Sequence, residues 1–332
     1  MNSRRDFLKQ TAAVSAASLT GTIASAQSPS FTPPAATAPT ANPQPLWQKL
    51  YPGFRNMRIT TSGAQINVVT GGSGPPLLLL HGAPDSLVTW HLIAPELAKH
   101  YTLILMDLRG YGDSSKPDGG ADHAGYSKRA MALDGVEVMA QLGHERFCVV
   151  GHDRGGRVAR RMALDHPTKV RKVAVLDIVP EHYLYSHVTL GFVQGYYHWF
   201  SFLRPAPIPE EETLARYTQA AAKATSEIER EYARHRTNPE MIHAMCEDYR
   251  ASASVDLKLD AADIAAGRKI ACPLLSLWAA KGLYPRLFDD VLGIWKAEGS
   301  NVSGRALANA THNLQESDPA ETLAALQAFL KD

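Results

Sequence analysis

Cys148-Val149-Val150-Gly151-His152-Asp153-Arg154-Gly155-Gly156 is the stretch that decides the fold. An apolar run enters a Gly-x-Asp-x-Gly turn, and a helix-like segment, residues 157–165, leaves it. Strand, sharp turn and helix in that order make a nucleophile elbow, with Asp153 where the commoner version carries serine. The flanking glycines let the backbone turn where side chains would obstruct it. The turn lifts one side chain to the mouth of a helix whose N-terminus favours an anion. A carboxylate there points to attack on a saturated carbon, with a covalent alkyl ester as intermediate. The leaving group is then a halide or an epoxide oxygen.

Outward from the elbow, apolar strands and helical stretches alternate. Residues 58–69 read as a hairpin and 77–80 as a buried strand ended by His81-Gly82-Ala83-Pro84. A helix follows at about 87–99, then a strand at 101–106, the loop Asp107-Leu108-Arg109-Gly110-Tyr111-Gly112 and a helix at about 128–142. The elbow strand is 147–150, and the next strand, 170–178, carries Asp177 near its end. This pattern predicts an α/β fold, a mostly parallel sheet with helices on both faces. Its ligand crevice lies at the carboxyl ends of the strands, where Asp153 and Asp177 both fall. Between about 180 and 267 aromatics and histidines give way to charged helical sequence with no strand pattern, which reads as an inserted helical cap. The core, begun over residues 46–179, resumes over 268–332. It has a strand at 273–278, a helix near 286–296, a strand at 302–307, the loop holding His312 and a helix from Pro319.

The 332 residues are 45% hydrophobic, ample for one such domain, and the net charge is +1 without a lysine or arginine run to suggest a nucleic-acid partner. Ser3-Arg4-Arg5-Asp6-Phe7-Leu8-Lys9 resembles a twin-arginine export motif. A mildly apolar stretch and Ala24-Ser25-Ala26, an A-x-A cleavage site, follow it. Residues 1–26 are therefore read as a signal peptide, with a periplasmic destination and no stable membrane anchor after cleavage. Cleavage removes three positive charges and one negative, leaving a net charge of −1. Residues 27–45, rich in Pro, Ala and Thr, read as a disordered linker. Cys148, Cys246 and Cys272 have no metal-ligand spacing and are expected as free thiols; neither metal nor cofactor is expected.

With Asp153 as nucleophile, a base must stand C-terminal to it, on the loop before the last helix. His312 is the one histidine there, placed to activate water against the ester. Two positions compete for the acid that orients it. After residues 274–278 the chain reads Ala279-Ala280-Lys281-Gly282-Leu283, and the next acids, Asp289 and Asp290, fall inside the expected helix. Asp177 lies amid apolar neighbours, where an unpaired carboxylate is costly, and is the better partner. Arg154 and Arg157 sit three apart on one helix face, at the end where cations are disfavoured. Something anionic between them is implied: a substrate carboxylate gripped by both forks, or structural acids along a stripe that Arg161 continues. His198 and Trp199 can donate hydrogen bonds to a leaving group or serve only as cap packing.

Taken together these residues resemble the fluoroacetate (haloacetate) dehalogenases of the α/β-hydrolase superfamily. The likeness runs through His81-Gly82-Ala83-Pro84, Asp107-Leu108-Arg109-Gly110-Tyr111-Gly112 and Gly151-His152-Asp153-Arg154-Gly155-Gly156-Arg157. It continues through Leu176-Asp177-Ile178-Val179-Pro180, His198-Trp199, Met245-Cys246-Glu247-Asp248-Tyr249-Arg250 and His312. The Asp-Arg-x-x-Arg pattern joined to His-Trp is its most specific part. The resemblance implies a short haloacid substrate, Asp153 as nucleophile, His312 as base and Asp177 as its partner. It implies that Arg154 and Arg157 hold the substrate carboxylate and that His198, Trp199 and a cap tyrosine, matched to Tyr232, cradle the halide. The backbone N–H groups of Ala83 and Arg154 form the implied oxyanion site. A homodimer is implied as well. Two positions depart from the pattern and bear on substrate size: Ala83 is small where family members carry a bulky aromatic, and Thr311 stands in place of glycine.

An epoxide hydrolase shares the Asp–His–Asp logic but needs no arginine beside the nucleophile, and a haloalkane dehalogenase gains little from two guanidiniums. A non-catalytic binding protein on the same fold is the reading outside enzymes, opposed by a complete set of nucleophile, base and acid.

Overall fold

The computed structural model describes residues 45–331. The export signal and nearly all of the linker read from the sequence lie outside the described residues. Strands β1 (Arg55–Thr60) and β2 (Gln65–Gly72) form an antiparallel hairpin at one edge of the sheet. Strands β3 (Pro76–Leu80), β4 (Thr102–Met106), β5 (Phe147–His152), β6 (Val170–Leu176), β7 (Leu274–Ala279) and β8 (Val302–Leu307) are mutually parallel. The order across the sheet is β1-β2-β4-β3-β5-β6-β7-β8, with β2 antiparallel to β4.

A parallel strand buried on both faces reads as an unbroken apolar run. In β3 this is literal: Leu77 and Leu79 belong to one hydrophobic cluster, Leu78 and Leu80 to another, and all four are fully buried. The sheet thus separates two apolar layers, each closed by helices.

Two expected helices are broken. Residues 87–99 fold as a 3-10 turn, Leu87–Trp90, capped by Ser86, and a short helix, Ala94–Leu97, with Pro95 in its first turn. Residues 286–296 split into Tyr284–Leu287 and Val291–Lys296. Phe288 is extended between them, and Asp290 lies outside the helix and caps the second by accepting from Gly293 N–H at 2.7 Å.

From β6 to β7 the chain is helical, beginning with Glu181–Ser186 and ending with Leu257–Ala265. Near its end Pro239–Ala251 runs through a π-helical turn, Ser252–Asp256, into Leu257–Ala265. The wider turn lets one continuous rod change the faces it presents. Buried ion pairs tie it to the core: Lys128 reaches Asp248 and Asp256, Arg160 reaches Asp260, and Arg161 reaches Asp260 and Asp263. Among the described residues no helix is long and apolar enough to cross a membrane.

Candidate active site

At the elbow, β5 passes into the helix Arg154–Asp165 through Asp153, whose φ of 45° and ψ of −117° are strained for a residue with a side chain. Close packing makes the turn possible. A Cβ on Gly151 would lie 2.3 Å from Gly155 O, one on Gly155 2.4 Å from Leu80 O, and one on Gly82 2.7 Å from Asp153 Cβ. The chain is pinned by Gly155 N–H donating to His81 O at 3.0 Å. Buried His81 in turn accepts from Leu108 N–H at 3.0 Å, joining the two loops quoted from the sequence. The Ala83 N–H donates to Asp153 Oδ2 at 3.2 Å, so one carboxylate oxygen is held by the backbone. Arg154, whose N–H is the other backbone donor named from the sequence, is the first residue of the helix.

His312 Nδ1 lies 2.7 Å from Asp177 Oδ2, and Asp177 Oδ1 accepts from Ala279 N–H at 2.9 Å. Asp177 also has positive φ, 49°, so two of the three non-glycine residues with positive φ among the described residues are Asp153 and Asp177. Burial opposes charge on the His312 imidazole. The Asp177 hydrogen bond and the Asp153 charge outweigh it and push the ring up to about 9. Burial likewise opposes ionisation of Asp153, but His312, His152, Arg157 and Arg154 hold it below the usual carboxylate range. His152, driven down to about 4 mainly by burial, braces the His312 loop: its Nε2 lies 2.9 Å from His312 O.

The two arginines are placed differently from the carboxylate fork expected. Every guanidinium nitrogen of Arg154 is bonded to the protein. Nε and Nη2 donate to the Asp248 carboxylate at 2.9 and 2.7 Å, Nη1 donates to Glu181 at 2.8 Å, and Nη2 also reaches Ser252. Of the two readings, structural acids therefore hold Arg154, as they hold Arg160 and Arg161 further along. A paired buried charge of this kind is costly to disturb, about 3–5 kcal/mol when one partner is removed. Arg157 is freer. Its Nη1 donates to Val179 O at 2.7 Å, its Nη2 meets Tyr284 OH only at 3.5 Å, and its Nε has no hydrogen-bond partner.

His198 and Trp199 come together with these groups. The Arg157 guanidinium lies 4.8 Å from the Trp199 ring centre, and Trp199 is fully buried with its indole N–H unbonded. Burying such a donor without an acceptor costs ~1–3 kcal/mol, which a bound anion can recover. His198 is kept neutral by burial, down to about 4. Tyr232 is not part of this group. Its hydroxyl donates to Glu316 and its ring packs in the opposite hydrophobic layer with Tyr51 and Leu87. Two tyrosines flank both His198 and Trp199: Tyr196, at ring-centre distances of 5.4 and 5.8 Å, and Tyr249, at 6.2 and 5.4 Å, the latter with Arg154 4.3 Å above it and Asp153 acting on its hydroxyl. Tyr232, the match made by counting along the cap, thus stands apart from His198 and Trp199, whereas Tyr249, within the Met245-to-Arg250 segment, stands beside them. Glu181, Asp248 and Tyr185, whose buried hydroxyl is also unbonded, were not singled out for roles from the sequence. Nothing local marks them, as their partners are distant in the chain.

A family model for the alpha/beta hydrolase fold matches residues 75–316, and the chain belongs to the α/β-hydrolase family. A fluoroacetate dehalogenase from Burkholderia sp is 41% identical over 296 residues, 85% of this chain and 96% of that relative. A soluble epoxide hydrolase from Corynebacterium sp. (strain C12) is 30% identical over 275 residues, 78% of this chain and 91% of that protein. Among solved structures, ALR0039 from Nostoc sp PCC 7120 is 46% identical with a TM-score of 0.80, covering 84% of this chain and 98% of that one. Within the α/β-hydrolases the chain falls in the haloacetate dehalogenase family, and it is a hydrolase.

Proposed function

We propose that the protein is a hydrolytic dehalogenase of short 2-haloacids such as fluoroacetate. The observation that carries this reading is an elbow carboxylate, Asp153, with one oxygen held by Ala83 N–H, beside an imidazole paired to a buried aspartate. The free oxygen of Asp153 attacks the halogen-bearing carbon, and the carbon–halogen electron pair leaves with the halide, received by Trp199, His198 and Tyr249. His312 then takes a proton from water, and the hydroxide attacks Cγ of the ester. The oxyanion that forms is stabilised at Ala83 N–H, where a fixed backbone donor needs no reorganisation. Collapse breaks the Cγ–O bond, His312 protonates the departing oxygen, and the 2-hydroxy acid leaves. Arg157, less tightly hydrogen-bonded than Arg154, is the arginine that meets the substrate carboxylate, while Asp248 and Glu181 hold Arg154. The twin-arginine motif adds export to this reading.

Epoxide opening by the same residues is favoured by one observation. Tyr196 stands 6.5 Å from the His312 ring and 6.3 Å from that of Tyr284, two phenols near the nucleophile. Halide release from fluoroacetate, chloroacetate and bromoacetate at neutral pH, measured beside styrene oxide turnover, separates the two. Halide is expected; diol formation without halide overturns the dehalogenase reading. Within it, Tyr249→Phe is expected to slow halide release by on the order of 10²-fold through a lost donor, while Tyr232→Phe stays near the parent rate. Steady-state kinetics giving the reverse order would return the role to Tyr232.

A further inference from the structure

The two guanidiniums beyond the elbow already hold an anion, and it is the protein's own. Glu181 Oε1 accepts from Arg154 Nη1 at 2.8 Å and lies 3.6 Å from Arg157 Nε. Glu181 is 4% exposed, directly after the Pro180 that ends the run from Asp177. The surroundings are balanced without a ligand: Lys128, Arg154 and Arg157 stand against Glu181, Asp248 and Asp256, all buried. A substrate carboxylate would add a negative charge for which no unmatched positive charge remains in this set. Burying a charge without compensation is strongly unfavourable. An uncharged group of the same shape meets no such penalty.

We propose that Glu181 is a specificity-determining residue, a built-in counter-ion seated between Arg154 and Arg157 that weakens the pocket's grip on a haloacid carboxylate and narrows its preference over the uncharged haloamide. The inference rests on the aspartyl-ester dehalogenase reading above and concerns the same pocket. Glutamine at this position keeps an acceptor for Arg154 while removing the charge, and Asp248 still pairs Arg154.

The test compares chloroacetate with 2-chloroacetamide in the parent enzyme and in Glu181→Gln. The parent is expected to discriminate weakly between them. In the variant KM for chloroacetate falls about tenfold, the gain expected of one charge-assisted contact, with kcat and the chloroacetamide constants little changed. An unchanged or higher KM for chloroacetate overturns the proposal. Calorimetric binding of chloroacetate to Asp153→Asn and to Asp153→Asn/Glu181→Gln gives a readout without turnover. Tighter binding by the double variant supports the proposal, and equal or weaker binding sinks it. If the parent releases halide from neither compound, the dehalogenase reading fails, and the calorimetric pair still decides the role of Glu181. Should the glutamine variant not fold, Glu181→Thr, which keeps a hydroxyl acceptor, enters the same comparisons.

Discussion

Asp153→Asn is expected to abolish halide release, by on the order of 10⁴-fold or more, without loss of the fold. Asparagine tolerates positive φ as well as aspartate does, and its amide oxygen can still accept from Ala83 N–H. What it lacks is the nucleophilic charge, and with it the covalent route. A single turnover of the parent enzyme in ¹⁸O-water gives the complementary result. The oxygen entering the product comes from Asp153, so the first product is unlabelled and the label appears in the protein. Labelled product in that first turnover would mean that water attacks the substrate directly, leaving Asp153 as an electrostatic bystander. A thermal melt of the variant near that of the parent separates lost chemistry from lost structure.

His312→Gln is expected to stop the cycle halfway. The first displacement needs only the Asp153 carboxylate, so one equivalent of halide per active site is released, and the alkyl ester then persists for detection by mass spectrometry. The electrostatics of the site give this step its pH dependence. In the resting enzyme the Asp177 hydrogen bond and the Asp153 charge keep the imidazole protonated up to about 9. Esterification removes the Asp153 charge, and the imidazole becomes a weaker base whose pKa falls below 9. The base is thus set free by the step that precedes its use. Ester hydrolysis in the parent is expected to rise with pH through that lowered pKa and to level off above it, as pre-steady-state mixing can measure. Absence of a halide burst in His312→Gln would place the histidine in the first step instead.

The elbow, the strands and the place of His312 were legible because each is written locally or in chain order. Gly151, Asp153 and Gly155 carry their own stereochemistry. Leu77 to Leu80 can only be buried on both faces, and His312 is the lone histidine on its loop. Asp177 was legible from the cost of an unpaired carboxylate among apolar neighbours, and its hydrogen bond to His312 is where that argument leads. What escaped depends on pairing across the chain. Whether Arg154 faces a ligand or Asp248 is settled by packing between residues 94 apart, to which no spacing within one helix is sensitive. Tyr249 and Tyr232 both sit on cap helices, and packing between distant parts of the chain puts one beside Trp199 and the other beside Glu316. The short helices around Pro95 and Asp290 were hidden for a simpler reason: apolar spacing continued through breaks marked by single residues, Pro95 in the first turn of one helix and the Asp290 cap of the other.

The charged seam between the core helices and the π-interrupted rod also limits how the enzyme can be re-engineered. Lys128, Arg154, Arg160 and Arg161 belong to one side of it, and Asp248, Asp256, Asp260 and Asp263 to the other. A cap transplanted from a relative to change substrate range must bring its acids into register with all four bases, or leave buried cations unmatched. The cap is therefore not a module to be exchanged at its two junctions; recombination has to carry residues from both sides of the seam together.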